Sequence, residues 1–308
     1  MKAAIDIGTN TVLLLVAILD GNRIKVIREE QRIPRLGKGV DESGVLHQDS
    51  INRVLKVLRE YKKIISEEYP ETDKVFVTAT SAVRDAKNRE PFIHLIKDEL
   101  GFEVILLSGD EEARSTFLGA LSVLDLEDSD SAFVLDIGGG STEIALGSKK
   151  GIQQFHSFDM GSVRFKERFL KHDPPLKEEI DECRTEIQRL YTSVPFSIPD
   201  SVTALAVAGT ATTLAAIEAN RDEYVATELN GFVIKKESLL KQIQYFSSDK
   251  SSELLKKNPV FLKGREDIFL SGLLILEGFL SFYKLEQIIV STGGIRHGIV
   301  LGRNHIKN

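Results

Sequence analysis

Short apolar runs broken by turn residues open the chain. Ala3-Ala4-Ile5 leads into Asp6-Ile7-Gly8-Thr9-Asn10-Thr11, residues 12–18 form a second apolar run, Asp20-Gly21-Asn22 marks a turn, and Ile24-Lys25-Val26-Ile27 follows it. Runs of this length joined by turn residues predict three consecutive antiparallel strands. The period then changes. Ile51, Val54, Leu55, Leu58 and Ile65 recur at helical spacing behind Ser50, the expected N-cap. Val75-Phe76-Val77 predicts a strand. Asn88 opens a helix with Phe92, Leu95 and Ile96 on one face, and Gly101 stops it. Residues 103–107 predict another strand, and Ser108 or Asp110 caps a helix running through Phe117 to Val123. The order is βββαβαβα.

An acidic, polar stretch over residues 124–131 reads as a linker or exposed connection. The pattern then restarts. Residues 132–135 predict a strand ending at Asp136-Ile137-Gly138-Gly139-Gly140-Ser141-Thr142, Ile144-Ala145-Leu146 the next, and residues 152–158 a third. Leu176, Ile180, Cys183, Ile187 and Leu190 mark one helix face. Residues 204–208 form a strand, Gly209-Thr210 opens a helix, and residues 287–290 form a strand before Gly293-Gly294 and a final helix. Each half thus begins with a strand ending in Asp-Ile-Gly, the two copies lying 130 residues apart. A repeat search of this kind points to a domain duplication.

Composition narrows the class. A length of 308 residues suits two domains. Hydrophobic residues at 42% and charged residues at 28% exclude a disordered or fibrous chain. A net charge of −6 supplies no global field for a polyanion, so a phosphate-rich ligand needs a local basic site and nucleic acid is not an expected partner. The single cysteine, Cys183, forms no internal disulfide and no cysteine-rich zinc site. The apolar stretch from Ile268 meets Glu277 well short of the roughly 18 residues of a spanning helix, so a buried helix is expected there. With no signal pattern at the N-terminus, the expected address is the cytoplasm.

The glycine-rich strand ends carry the candidate chemistry. Such turns expose backbone N–H groups with no side chain in the way, a nest suited to phosphate oxygens. Gly138-Gly139-Gly140-Ser141-Thr142 adds two hydroxyls, and Gly8-Thr9-Asn10-Thr11 two hydroxyls and an amide. Neither is a Walker A loop, and neither opens a helix as a dinucleotide fingerprint does. Asp6 and Asp136 stand beside the expected phosphates, where a bare carboxylate would repel them. Mg²⁺ binds through one or two carboxylates plus phosphate oxygens and water, so the acids imply that metal, with Mn²⁺ an alternative. Gly209-Thr210 and Ser291-Thr292-Gly293-Gly294 are further strand-to-helix turns where free N–H groups favour anions.

At these residues the chain resembles the exopolyphosphatase / guanosine pentaphosphate phosphohydrolase family, part of the superfamily of actin, sugar kinases and the large heat-shock ATPases. The resemblance covers essentially the whole chain. It rests on the two Asp-Ile-Gly loops, Ala79-Thr80-Ser81-Ala82-Val83-Arg84, Ser108-Gly109-Asp110-Glu111-Glu112-Ala113-Arg114, Glu143, Gly209-Thr210 and Gly293-Gly294-Ile295-Arg296. It implies an α/β fold of two ribonuclease H-like domains with a cleft between them, over residues 1–124 and 125–308. A last helix at about 295–308 would pack back on the first domain.

The resemblance also implies roles. Glu112 matches the base that activates water; Glu111 and Glu112 point about 100° apart on a helix, and sequence alone does not choose between them. Asp136 and Glu143 match acids that bind metal or position water, with Asp6 a further metal candidate. Arg84 matches a phosphate-binding arginine, and Gly8, Thr9, Asn10, Gly138, Gly139, Gly140, Ser141, Gly209 and Thr210 match the phosphate cradle. Arg35 and Lys38, in a basic loop, and Arg265 are further phosphate candidates. His297 stands where relatives often carry an acid.

The expected activity is Mg²⁺-dependent hydrolysis of a terminal phosphoanhydride of inorganic polyphosphate, guanosine pentaphosphate, or both. No membrane partner is expected, and a homodimer is compatible with the family. Larger relatives carry an extra helical region after the second domain, and functions resting on it are not carried over. Two rival readings are an ATP-dependent kinase or ATPase on the same scaffold and a non-catalytic phosphate or nucleotide sensor.

Overall fold

The computed structural model describes residues 1–302 except 22, 128, 129, 195 and 200. Asn22 of the first expected turn, part of the acidic linker and the expected final helix beyond residue 302 therefore lie outside the described residues. The chain divides into two compact units, Met1–Val123 with the segment from Gly293 onward, and Leu124–Thr292.

The first unit runs β1 (Lys2–Ile7), β2 (Val12–Asp20), β3 (Arg23–Arg32), α1 (Val40–Ser43), α2 (Gln48–Glu68), β4 (Lys74–Ala79), α3 (Ser81–Asp85), α4 (Arg89–Leu100), β5 (Val104–Leu106) and α5 (Gly109–Ser122). The second runs β6 (Ala132–Ile137), β7 (Thr142–Ser148), β8 (Gly151–Phe158), α6 (Ser162–Arg168), α7 (Lys177–Thr192), β9 (Thr203–Val207), α8 (Ala208–Glu218), α9 (Ala226–Leu229), β10 (Val233–Lys235), α10 (Lys236–Ser248), α11 (Ser251–Lys257), α12 (Pro259–Leu262), α13 (Phe269–Phe282) and β11 (Gln287–Val290). Helix α14 (Ile295–Leu301) returns to the first unit.

Among the described residues the first sheet has the order β3-β2-β1-β4-β5 and the second β10-β11-β9-β6-β7-β8. Read from its β8 edge, the second is β8-β7-β6-β9-β11, the first order again, with β10 added antiparallel at the far edge. In both, a three-strand antiparallel meander precedes parallel pairing, β1 with β4 and β6 with β9. The duplication seen in the two Asp-Ile-Gly copies is thus repeated in the strand order.

Alternation along the strands packs both faces of the first sheet. Ala3, Ile5 and Ile7 join Val54, Leu58 and Tyr61 of α2, while Ala4, Leu15 and Phe76 join Ile299 and Val300 of α14. In the second unit α13 is apolar around most of its circumference because the core with α7 and α8 encloses it, and Glu277 on its remaining face pairs with Arg184 of α7. None of the described helices is long and apolar enough to cross a membrane.

One local expectation needs correction, and one helix was not expected at all. Helix α2 starts at Gln48 with His47 as N-cap, and Ser50 lies inside its first turn, where its hydroxyl accepts from Arg53 Nη2 at 2.7 Å. Helix α6 had no sequence signal, since a seven-residue helix burying only Ser162, Val163 and Phe165 is too short to show a period.

Candidate active site

The two strand ends fold into the same tight hairpin. Gly8 N–H donates to the Thr11 carbonyl at 2.9 Å, and Gly138 N–H to the Ser141 carbonyl at 3.0 Å. Each tip has its carbonyls held from behind. In the first unit Gly37 N–H donates to Thr9 O (2.7 Å) and Arg35 N–H to Asn10 O (3.0 Å). In the second, Ser162 N–H donates to Gly138 O (2.9 Å), Val163 N–H to Gly139 O (2.8 Å), and the Arg164 Nε–H to Gly140 O (2.6 Å).

A trans peptide sets N–H opposite C=O. The N–H groups of Gly139, Gly140 and Ser141 therefore face away from α6, and those of Asn10 and Thr11 away from the loop at 35–37. Both tips present the donor side of their backbone, as an anion nest requires. Close approach of the supports is what glycine permits: a Cβ on Gly161 would sit 2.5 Å from the Gly139 backbone, and one on Gly37 2.3 Å from Thr9 Cγ2. Arg35 holds its amide on Asn10 with a left-handed φ of 55°, a strained setting for a non-glycine residue. Lys38 is exposed on the same loop.

The halves differ in charge. In the β6–β7 register Asp136 lies directly opposite Glu143, whereas Asp6 lies opposite Leu13. Opposed residues in an antiparallel pair share a face with Cβ atoms about 4.5–5.5 Å apart. Asp136 is 8% exposed and Glu143 2%, so two carboxylates stand side by side in a site nearly shut to water. Like charges so placed repel unless a cation joins them. Glu143 Oε1 accepts from Ser157 Oγ at 2.6 Å, and Ser157 is its opposite number on β8. Asp6 Oδ1 accepts from Thr78 Oγ1 at 3.2 Å.

No group of three or more His, Cys, Asp or Glu side chains suited to a metal occurs among the described residues. A hard cation completed by phosphate oxygens and water needs only one or two carboxylates. The Asp136–Glu143 pair fits that donor set.

Helix α5 separates its two adjacent glutamates. Ser108 is the N-cap, and Glu111 turns back to complete a capping box, its Oε2 accepting from Ser108 N–H at 2.8 Å and Ser108 Oγ at 2.9 Å. Glu112, one position on and 7% exposed, accepts from Arg84 Nη1 at 3.1 Å. The same Nη1 donates to Leu107 O at 3.0 Å. Arg84 therefore bonds Glu112, which sets the carboxylate's place. Helix α14 packs on α5 through glycines. A Cβ on Gly293 would lie 2.0 Å from Gly119 O, and one on Gly298 1.9 Å from Ser115 O. The Gly293-Gly294 turn also packs closely against α5.

At the end of β9, Ala208 takes a left-handed φ of 64° and α8 begins. Gly209 O accepts from Arg265 Nη1 (3.1 Å), which also donates to Thr213 Oγ1 (2.8 Å). Arg265 is 8% exposed, and burial lowers its pKa. It sits as a buttress under the Gly209 turn. Thr210 is buried where α8 crosses Gly272, whose Cβ would come within 2.5 Å of Thr210 Oγ1. His297 is 2% exposed on α14, and burial, with the Arg296 charge, lowers its pKa to about 3. It is a neutral core imidazole.

Sequence reasoning did not single out Gly37, Gly161, Arg164 or Ser157. A glycine facing a tip, or a polar side chain opposite an acid, shows only once strands and loops are paired.

A duplicated α/β fold with two donor-lined hairpin tips and a buried acid pair defines a phosphate-handling protein related to the actin and ribonuclease H-like superfamily. The sequence pattern of the Ppx/GppA phosphatase family matches residues 15–306, and the chain belongs to that family. It is 31% identical to exopolyphosphatase 2 of Mycobacterium tuberculosis, with 97% of each chain covered. It is also 31% identical to the bifunctional 3-dehydroquinate synthase/phosphatase of Fusobacterium nucleatum, over 98% of this chain but only 46% of that protein. The crystal structure of the Aquifex aeolicus Ppx/GppA family member superposes with a TM-score of 0.81 at 32% identity, covering 97% of this chain and 96% of that one.

Proposed function

We propose that the chain is a Mg²⁺-dependent phosphohydrolase that releases the terminal phosphate of inorganic polyphosphate, guanosine pentaphosphate, or both. The observation that carries this reading is the Asp136–Glu143 pair beside an outward-facing row of backbone N–H groups at Gly139, Gly140 and Ser141. Anion donors next to two buried acids make physical sense when a divalent cation and a phosphate share the place.

In this reading Asp136 and Glu143 hold the metal and Ser157 fixes Glu143, while Asp6 is a candidate metal ligand at the first tip. Bound there, Mg²⁺ would neutralise phosphate oxygens and the charge that develops on them. The hairpin tips and the Gly209 turn hold the phosphates by backbone N–H groups. Lys38 and Arg35 supply positive charge beside the first tip. Arg265 acts from beneath the Gly209 turn.

Glu112 orients a water and takes its proton as the water oxygen bonds to the terminal phosphorus. The bond from that phosphorus to the bridging oxygen breaks, and the bridging oxygen leaves with the electron pair. Arg84 serves twice, with Nη1 on Glu112 and the remaining guanidinium edge on phosphate. Positioning and charge compensation dominate such transfers, so the fixed backbone donors matter as much as the base.

Phosphate release from polyphosphate, guanosine pentaphosphate and ATP, measured side by side with and without Mg²⁺, tests the proposal. Metal-dependent release from either of the first two supports it. Preferential ATP turnover would identify a kinase-like ATPase, and binding of all three without turnover would identify a sensor.

A further inference from the structure

We propose that Arg164 is a positioning residue for the second hairpin tip, setting the Gly140–Ser141 peptide so that the Ser141 N–H meets substrate phosphate. The inference rests on the phosphohydrolase reading above and adds to it a residue outside the expected phosphate cradle.

The two tips are supported differently at equivalent positions. At the first, the third carbonyl, Asn10 O, accepts from a main-chain donor, Arg35 N–H, at 3.0 Å. Any residue but proline supplies that bond. At the second, the equivalent carbonyl is Gly140 O, and its donor is a side chain, Arg164 Nε–H, at 2.6 Å. The backbone N–H groups of α6 reach only Gly138 O and Gly139 O. Without the guanidinium, nothing in this set of bonds fixes the plane of the last peptide in a run of three glycines, the residue type with the greatest backbone freedom. A charge-assisted bond is both stronger and more directional than a neutral one. It also polarises the peptide it grips, so the N–H on the far side becomes a better donor. Lysine does not substitute, because its ammonium is a point charge on a flexible stem and lacks the planar guanidinium edge.

Arg164→Ala and Arg164→Lys, assayed with tripolyphosphate and Mg²⁺, test the assignment. Loss of one charged hydrogen bond in the bound state predicts a KM raised roughly 10- to 100-fold in both variants. kcat should fall much less, and the melting temperature should stay within a few degrees of the parent. Millimolar guanidinium ion should lower the KM of Arg164→Ala and leave that of Arg164→Lys unchanged. An unaltered KM overturns the proposal. So does a fall in melting temperature accompanied by loss of active protein that guanidinium does not reverse. Should the parent chain turn over no substrate, the reaction assigned above fails, and calorimetric titration with Mg²⁺-tripolyphosphate then decides the Arg164 question: a dissociation constant raised by the same factor supports the role, and an equal one ends it.

Discussion

Arg84 Nη1 lies 3.1 Å from Glu112 Oε2, a bond between the residue expected to hold phosphate and the residue expected to activate water. The pair explains how a carboxylate only 7% exposed is kept in one orientation. Glu112→Gln should preserve substrate binding and lower turnover by ~10²–10⁴-fold, the usual contribution of a positioned base. Arg84→Ala should raise KM and lower kcat together, since it removes the proposed phosphate contact and releases the Glu112 carboxylate. In the double variant kcat should fall little below that of Glu112→Gln alone, because both changes act on one unit. Independent, multiplying effects on kcat would show that Arg84 does not work through Glu112.

Asp136 and Glu143 face each other across β6 and β7, and Ser157 holds Glu143 from β8. Ser157→Ala removes a bond behind Glu143, one of the two proposed metal ligands, and should raise the Mg²⁺ concentration for half-maximal activity by about 10–100-fold, the range typical of such supporting groups. Asp136→Asn should abolish Mg²⁺-dependent turnover and raise the melting temperature in EDTA, because it relieves repulsion between buried like charges. Metal titrations and thermal melts of the two variants read these effects separately. A Ser157→Ala curve superimposed on the parent's would remove Ser157 from the site.

Much of this arrangement is legible in the sequence where its cause is local. The Asp-Ile-Gly turns announce both hairpins, because tight turns demand small residues at fixed places. Gly101 ends α4 with a left-handed φ of 70°, as a glycine after a helical run should. What escapes is whatever depends on a distant partner. Glu111 and Glu112 are chemically alike and adjacent, and only folding shows that the capping box with Ser108 engages the first while the second meets Arg84, 28 residues away. Arg164 reaches Gly140 across 24 residues through a helix too short to show a period. Gly293-Gly294 carries the composition of an anion turn, and its use as a helix contact depends on Gly119 lying opposite.

The glycine seam between α5 and α14 should be sensitive to a single methyl. A Cβ on Gly298 falls 1.9 Å from the Ser115 carbonyl oxygen, and backbone cannot yield as a side chain can. Gly298→Ala should cost about 3 kcal/mol, the upper end of ordinary overpacking. It should also reduce turnover, since it displaces the helix that presents Glu112. Gly302→Ala is the matched control: its Cβ would meet only ordinary contacts at 3.6 and 3.8 Å, and its effect should stay within about 0.5 kcal/mol. Urea midpoints for both variants provide the comparison, and equal midpoints would dismiss the seam.

His297 predicts an acid-sensitive stability. Burial, helped by the Arg296 charge, holds its folded pKa at about 3 against 6.5 for the unperturbed group, and its Nδ1 is buried without a hydrogen-bond partner. Between those values the unfolded chain binds a proton that the folded chain refuses, so stability rises with pH across the window and falls on acidification. At pH 7.5 both states are neutral at this site and it contributes no pH dependence. By pH 4 the unfolded state has gained about 3 kcal/mol from protonation, at 1.36 kcal/mol per pK unit. His297→Gln, which keeps a polar side chain of similar size and cannot ionise, should lose less stability between pH 6.5 and 4 than the parent. Urea midpoints at pH 7.5, 6, 5 and 4 measure the difference, and parallel curves for the two proteins would mean that the imidazole is protonated in the folded state or reaches solvent.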